Sequence, residues 1–242
     1  FGVITSFKFQ AHPLKSVFGG PTLWPIEKTD EIMAWYHQFI ENASHELQTP
    51  LAISINKLEL LVENGKLNKE QLEVLSSVLN NLERLTRFNK SLLLLSKIEN
   101  KQFVTEEIID FNELLKQMLA DFDDLASHKQ ISFKTIENGR LQYQINRDLA
   151  IILLSNLIKN AILHGSAGTI EIEVSSAFLR IKNMGNPETL DSEKIFSRFQ
   201  KSGDNKKSTG LGLAISKAIC EKYRIGLIYK YSNAHIFELK FR

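Results

Sequence analysis

Ser44-His45-Glu46-Leu47-Gln48-Thr49-Pro50 sets a histidine beside a carboxylate at the start of a long segment with helical apolar spacing. Neutral imidazole, the majority form near pH 7, is nucleophilic; an adjacent glutamate can hold one ring nitrogen and leave the other free to attack a phosphoryl group. On this reading His45 is a covalent intermediate and Glu46 polarises its ring. Thr49 lies four residues on, on the same helical face as His45, while Leu47 and Leu51 point towards the interior of a helical bundle. Pro50 has no amide hydrogen and its ring crowds the carbonyl of Glu46, which predicts a bend beside the histidine. A lone histidine on a helix is usually structural or solvent-facing, so the reading depends on what surrounds the stretch.

Working outward, Ile40, Leu47, Leu51, Leu58 and Leu61 recur at helical spacing, with Thr29 or Asp30 as the cap. Asn64-Gly65 reads as a left-handed stop, and Asn68 with Gln71 as a capping box that opens a second helix striped by Leu72, Leu75, Leu79, Leu82, Leu85, Phe88, Leu92 and Leu95. Two such helices form an antiparallel hairpin with much apolar surface left over, and pairing two hairpins into a four-helix bundle buries it. A homodimer is therefore expected. Upstream, Gly19-Gly20-Pro21 and Pro25 mark turns or irregular chain.

Length and composition frame the rest. The 242 residues suit two cores, and 43% hydrophobic with 24% charged residues reads as a soluble globular chain. A net charge of +2 argues against nucleic acid or an anionic membrane as the main partner. One cysteine, Cys220, rules out an internal disulfide framework and suits a reducing compartment. No apolar run approaches the roughly 18 residues of a membrane span. The sequence opens on Phe1 without a methionine and is read as a fragment or processed product, compatible with a membrane anchor upstream. The expected setting is the cytoplasm, or the cytoplasmic portion of an inner-membrane sensor.

Past a join near residues 100–105, helix and strand patterns alternate: helices over 112–126, 147–164 and 214–223, and strands over 131–136, 141–145, 170–174, 178–182, 227–231 and 235–241. This predicts an α/β sandwich with helices on one sheet face. Asn156 and Asn160 stand one helical turn apart, and an amide oxygen is a hard neutral ligand suited to Mg²⁺ bridging phosphates. Gly210 and Gly212 let backbone approach a phosphate closely at the start of a helix. The stretch 200–209, rich in Lys, Ser, Gly and Asn, reads as a lid.

Taken together, the stretch around His45, Asn156-Leu157-Ile158-Lys159-Asn160-Ala161, Ile195-Phe196-Ser197-Arg198-Phe199 and Gly210-Leu211-Gly212-Leu213 resemble, in this order, the H, N, F and second-glycine boxes of sensor histidine kinases of bacterial two-component systems. The resemblance covers about residues 30 to 242. It implies an α-helical hairpin forming a dimeric four-helix bundle, followed by an α/β sandwich of the histidine kinase/Hsp90-like ATPase type. The implied division is a linker or juxtamembrane remnant over 1–28, a dimerisation and phosphoacceptor domain over 29–101 and a catalytic ATP-binding domain over 102–242. The implied reaction is autophosphorylation of His45 from Mg·ATP, then transfer to an aspartate of a response regulator, with Thr49 orienting water for dephosphorylation of that regulator.

The resemblance further makes Asn160 the Mg²⁺ ligand and Asn156 a phosphate-side residue, and it assigns Phe199, Lys201, Gly210, Leu211, Gly212 and Leu213 to the nucleotide. Lys159, Lys206 and Lys207 are further candidates to meet phosphate charge, because Leu163 stands where a basic residue is common. Gln48 stands where an arginine is common. The family's D-x-G-x-G box is here Asn183-Met184-Gly185-Asn186-Pro187, which keeps Asn183 as an adenine contact and Gly185, but removes the carboxylate charge and the second glycine. That departure keeps two rivals in view: a nucleotide-impaired dimeric scaffold or phosphatase-biased sensor, and a chaperone- or topoisomerase-like ATPase, against which His45-Glu46 on a hairpin argues.

Overall fold

The computed structural model describes residues 26–187, 190–191, 194–200 and 209–242, with side chains from Ile32 onward. The turn signals at Gly19 to Pro21 and Pro25, Lys201, Lys206 and Lys207, and all but the ends of the lid stretch lie outside the described residues.

Two helices come first, α1 over Ile26–Asn64 and α2 over Lys69–Glu99. Helix α1 starts ahead of Thr29 and Asp30, which therefore sit within it and do not cap it. It runs through Pro50 without interruption. Proline leaves the Glu46 carbonyl without an intrahelical donor, and one turn on the Ser54 hydroxyl donates to the Pro50 carbonyl at 2.8 Å. Gly65 closes α1 but has no positive φ, so the left-handed stop is not formed. The need for glycine there is spatial, since a Cβ would lie 2.4 Å from the Leu61 carbonyl oxygen. The expected capping box is present: the Asn68 side chain accepts from the Gln71 amide at 2.9 Å, and Gln71 accepts from the Asn68 amide at 3.0 Å.

The hairpin's inner face holds Leu51, Ile55, Leu58 and Val62 half-buried on α1 and Leu75, Leu79 and Leu82 half-buried on α2. Leu47, Ile53, Leu60, Val74, Val78 and Leu85 stay exposed. A polar cluster joins α1 to the end of α2: Glu41 accepts from Ser96, Asn100 and Gln102, and His37 approaches Ser96 and Glu99.

Beyond the hairpin the chain builds β1 (Glu107–Asp110), α3 (Phe111–Ser127), β2 (Ile131–Asn138), β3 (Gln142–Ile145), α4 (Arg147–His164), β4 (Gly168–Ser175), β5 (Phe178–Asn183), α5 (Gly212–Lys222), β6 (Gly226–Tyr231) and β7 (His235–Lys240). The expected elements are all there with ends shifted by a few residues, and β1 is an addition. It pairs with β3 in a small antiparallel sheet. Asp110 ends β1 and caps α3, accepting from the Asn112 and Glu113 amides at 3.1 and 3.3 Å.

The main sheet has the order β2-β4-β5-β7-β6, parallel only between β2 and β4. Alternation sorts its faces: Ile170, Ile172 and Val174 of β4, Leu179 and Ile181 of β5 and Phe237 and Leu239 of β7 are buried under α3, α4 and α5. The opposite face carries charges, with Arg180 donating to Glu238 and Glu173 at 2.7 Å each. Leu95 and Ile98 at the end of α2 belong to the same buried cluster as the sandwich interior, so the hairpin's base and the sandwich share one core. Among the described residues no helix is long and apolar enough to cross a membrane.

Three carboxyls sit below their ordinary range. Burial alone would raise each, but Arg140 and two backbone amides outweigh it at Asp110, three side-chain donors at Glu41, and Arg180 at Glu238. Their charged forms favour the folded state, so the stability they contribute is present above their ordinary pKa values of 3.8 and 4.5 and is lost as pH falls further. The urea midpoint should therefore drop between pH 7 and pH 3, and Asp110→Asn, which keeps the cap but loses the charge facing Arg140, should flatten that drop; an unchanged slope would contradict this account.

Candidate functional site

His45 lies on α1 immediately after Ser44, which is buried and whose carbonyl accepts from the Asn89 amide of α2 at 2.6 Å. That contact fixes the helix at the residue before the histidine and leaves His45 itself exposed. Thr49, one turn on, is exposed as well. Glu46 is exposed, and among the described residues no hydrogen bond joins it to His45, because consecutive helical side chains point in different directions.

A second group of predicted residues converges where α4, α5 and the ends of β5 and β7 meet. The Asn156 amide donates to the Gly212 carbonyl at 3.0 Å, tying α4 to the first residue of α5. Asn160, half-buried one turn further along, makes no side-chain hydrogen bond among the described residues, so its amide oxygen is available. Helix α5 opens with Leu211 at its N-cap and no side-chain cap, leaving its first amides for a ligand, and the buried Leu211 and half-buried Leu213 anchor it in the core. Gly210 has φ +72° and its carbonyl accepts from the Phe199 amide at 2.9 Å. A Cβ there would meet the Gln200 carbonyl oxygen at 2.9 Å, so the turn needs glycine twice over.

At the other end lies Asn183, only 2% exposed. It continues the core-facing series Leu179, Ile181 with a polar side chain, and its Oδ1 is the one buried side-chain N or O atom among the described residues without a partner. Its Nδ2 donates to the Met184 carbonyl at 3.3 Å. Gly185 bridges Gly165, and a Cβ on it would come within 2.7 Å of the His164 carbonyl oxygen. Burial, then the neighbouring Lys129 and His235, lowers the pKa of His164 and favours its neutral form.

Not every predicted residue joins this group. The Phe199 ring lies against Phe88 of α2, centroids 5.8 Å apart, and Arg198 pairs with Glu99 of α2. Lys159 Nζ stands 5.5 Å above the Phe122 ring of α3, which gives it a partner other than phosphate. Leu163 is exposed. Burial pushes the Cys220 thiol up to about 12, so it is no nucleophile. Sequence reasoning missed Tyr229 and His235, which hydrogen-bond to each other and to Leu190 and Asn186 in the segment after Asn183. A signal existed, since His235 extends the core-facing series Leu239, Phe237 with a polar residue, but reading it requires the β5–β7 register.

Residues 145–239 match the family described as histidine kinase-, DNA gyrase B-, and HSP90-like ATPase, and residues 36–101 match the His Kinase A (phospho-acceptor) domain. Matching both in this order over more than half its length, the chain belongs to the sensor histidine kinases of two-component systems.

It is similar to the heme sensor protein HssS of Staphylococcus saprophyticus, 32% identical over 76% of this chain and 41% of that protein. It also resembles the sensor histidine kinase HprS of Escherichia coli K12, 29% identical over 82% of this chain and 45% of that protein. Among solved structures, the histidine kinase AdeS of Acinetobacter baumannii is 26% identical, with a TM-score of 0.58 over 81% of this chain and 96% of that one. The chain spans less than half the length of these curated relatives.

Gly210→Ala should lower the thermal midpoint by the equivalent of about 1–2 kcal/mol, the scale of forcing an L-residue into a left-handed conformation. Gly212→Ala, whose added Cβ would meet only Asn156 atoms at 3.6 Å or beyond, should cost less in the same melt.

Proposed function

We propose that this chain is the kinase core of a sensor, an ATP-dependent protein-histidine kinase that phosphorylates His45. One observation carries the reading: an exposed histidine on a helix fixed at its preceding residue occurs in the same chain as a cradle with a buried unpartnered acceptor at one end and uncapped helical amides at the other. The proposed division is an upstream segment over 1–28, the dimerisation and phosphoacceptor hairpin over 29–101 and the ATP-binding domain over 102–242.

The cradle suits Mg·ATP. Asn183 Oδ1 would accept from the adenine 6-amino group, and the first amides of α5 would meet phosphate. No group of three or more His, Cys, Asp or Glu able to hold a metal occurs among the described residues, so the Asn160 amide oxygen is the protein's offer to a cation otherwise held by phosphates and water. Bound Mg²⁺ would supply neutralisation of phosphate charge. Gly210, Gly212 and Leu213 shape the phosphate end, with Phe199 linked to it through the Gly210 carbonyl.

A neutral His45 nitrogen would attack the γ-phosphorus. The new N–P bond forms as the bond to the bridging β–γ oxygen breaks, ADP leaves with that electron pair, and the imidazole proton passes through water to the exposed Glu46. Phospho-His45 would then hand its phosphoryl group to an aspartate of a response regulator, and Thr49 on the same face would orient water when the regulator is dephosphorylated. The exposed Leu47 and Leu61, on the predicted stripe of α1, with Val74, Val78 and Leu85 of α2, support pairing of two hairpins into a four-helix bundle. Because ATP is the phosphoryl donor, we place this part in the cytoplasm.

Incubation with γ-labelled ATP and Mg²⁺ should give acid-labile, alkali-stable label on the wild type and none on His45→Ala. Label that persists in the variant would move the phosphoacceptor elsewhere; a folded wild type that binds ATP but takes no label would favour the scaffold or phosphatase-biased reading. Asn183→Leu should weaken ATP binding about tenfold, the scale of one hydrogen bond lost at a buried group. Light scattering should give twice the chain mass, and Leu61→Glu combined with Val78→Glu should bring it to one.

A further inference from the structure

Asn183 presents an acceptor only if its amide is held one way round. The Met184 carbonyl also accepts from the Ser166 amide at 2.8 Å, and as an acceptor it must face Asn183 Nδ2, which turns Oδ1 away from it and leaves that oxygen without a partner. The orientation of Asn183 thus depends on where the segment 183–186 places Met184, and that segment is braced from β7. Asn183 pairs with His235 across the ladder, the His235 ring lies against Gly185, and a Cβ at Gly185 would come within 3.0 Å of His235 Cδ2.

The ring's hydrogen bonds form a single consistent chain. His235 Nε2 is 2.9 Å from the Asn186 carbonyl oxygen, which can only accept, so that nitrogen carries the hydrogen. Nδ1, 2.9 Å from the Tyr229 hydroxyl, then accepts from it, and the Tyr229 oxygen in turn accepts from the Leu190 amide at 3.3 Å. The Tyr229 ring stacks on the imidazole at 6.0 Å and Tyr231 packs at 5.2 Å. His235 is buried and both its nitrogens are committed, so neither is free for chemistry of its own. It ties strands β6 and β7 to both ends of the segment that follows β5.

We infer that His235, held by Tyr229, is the positioning residue that keeps the Asn183–Asn186 segment in the place where Asn183 Oδ1 faces a purine 6-amino group, so that base selection depends on a histidine one strand away. The inference rests on the nucleotide site proposed above. It also supplies what the departure at Asn183 removes: a neutral amide can present either an acceptor or a donor, and an external brace decides which.

The test is calorimetric titration of the full 242-residue chain with ATP and with ITP, whose base carries a 6-oxo group in place of the 6-amino group. Wild type should prefer ATP by about tenfold or more, as one mismatched buried hydrogen bond requires. His235→Phe keeps a ring but loses both bonds and should bring the ITP-to-ATP ratio of Kd values towards one. His235→Gln, which can still donate and accept, should retain most of the preference. Tyr229→Phe removes one hydroxyl, leaves the packing, and should narrow the preference a few-fold, giving a readout even if His235→Phe fails to fold. A loss of affinity for both nucleotides with the ratio unchanged would make the histidine merely structural and overturn the inference. Wild type that binds neither nucleotide would sink the nucleotide site itself, whereas wild type that discriminates and variants that discriminate equally would sink only the role of His235.

Discussion

The antiparallel pairing of β5 with β7 is the constraint on which the site depends. With Leu179 opposite Leu239 and Ile181 opposite Phe237, the two central strands present matching apolar side chains to α4 and α5. A slip of one residue would turn each set to the charged face and set Arg180 and Glu238 into the core. The same register carries Asn183 and His235 to the terminal core-facing positions of their strands, where both stay buried. A polar pair at the end of an apolar ladder is stable only with its hydrogen bonds met, and here all but one are. The exception, Asn183 Oδ1, is the atom a ligand would satisfy.

Stability is distributed unevenly between the two halves. Leu149, Leu153, Leu154 and Leu157 of α4 are fully buried, each such side chain contributing on the order of 1.5–3 kcal/mol of transfer free energy. Along most of the hairpin, burial in a single chain is only partial. Its best-packed part is the C-terminal end of α2, where Leu95 and Ile98 enter the sandwich core. Phe88 against Phe199 and Glu99 with Arg198 add contacts further out. The ion pair is partly solvated and contributes little alone; the shared apolar cluster is the stronger tie.

Much of this was legible from residue pattern, because local rules act at short range. The capping box at Asn68, the apolar stripes and the strand alternation all express contacts within a few residues. What was not legible depends on partners distant in sequence. Strand β1 has four residues, two of them acidic, and exists because β3 pairs with it. Gly65 was read as a conformational requirement and is a steric one, set by the Leu61 carbonyl. Lys159 reads as a phosphate cation until Phe122 is brought beside it. For His235 the polar break in a buried series was visible, but its meaning came only with the strand opposite.

The bond from Asn89 to the Ser44 carbonyl has a mechanical consequence for α1. Turning α1 about its axis at this level would tear a buried hydrogen bond and strand an amide in the hairpin interior, at a cost of about 1–3 kcal/mol. Flexure that moves the stretch beyond Pro50, where one rung of the helical ladder is already missing, leaves that bond intact. The helix is therefore stiff to torsion just before His45 and compliant to flexure just after it. Twist is thus resisted at Ser44, while flexure at Pro50 moves the helix beyond it and leaves the imidazole beside the residue that Asn89 holds.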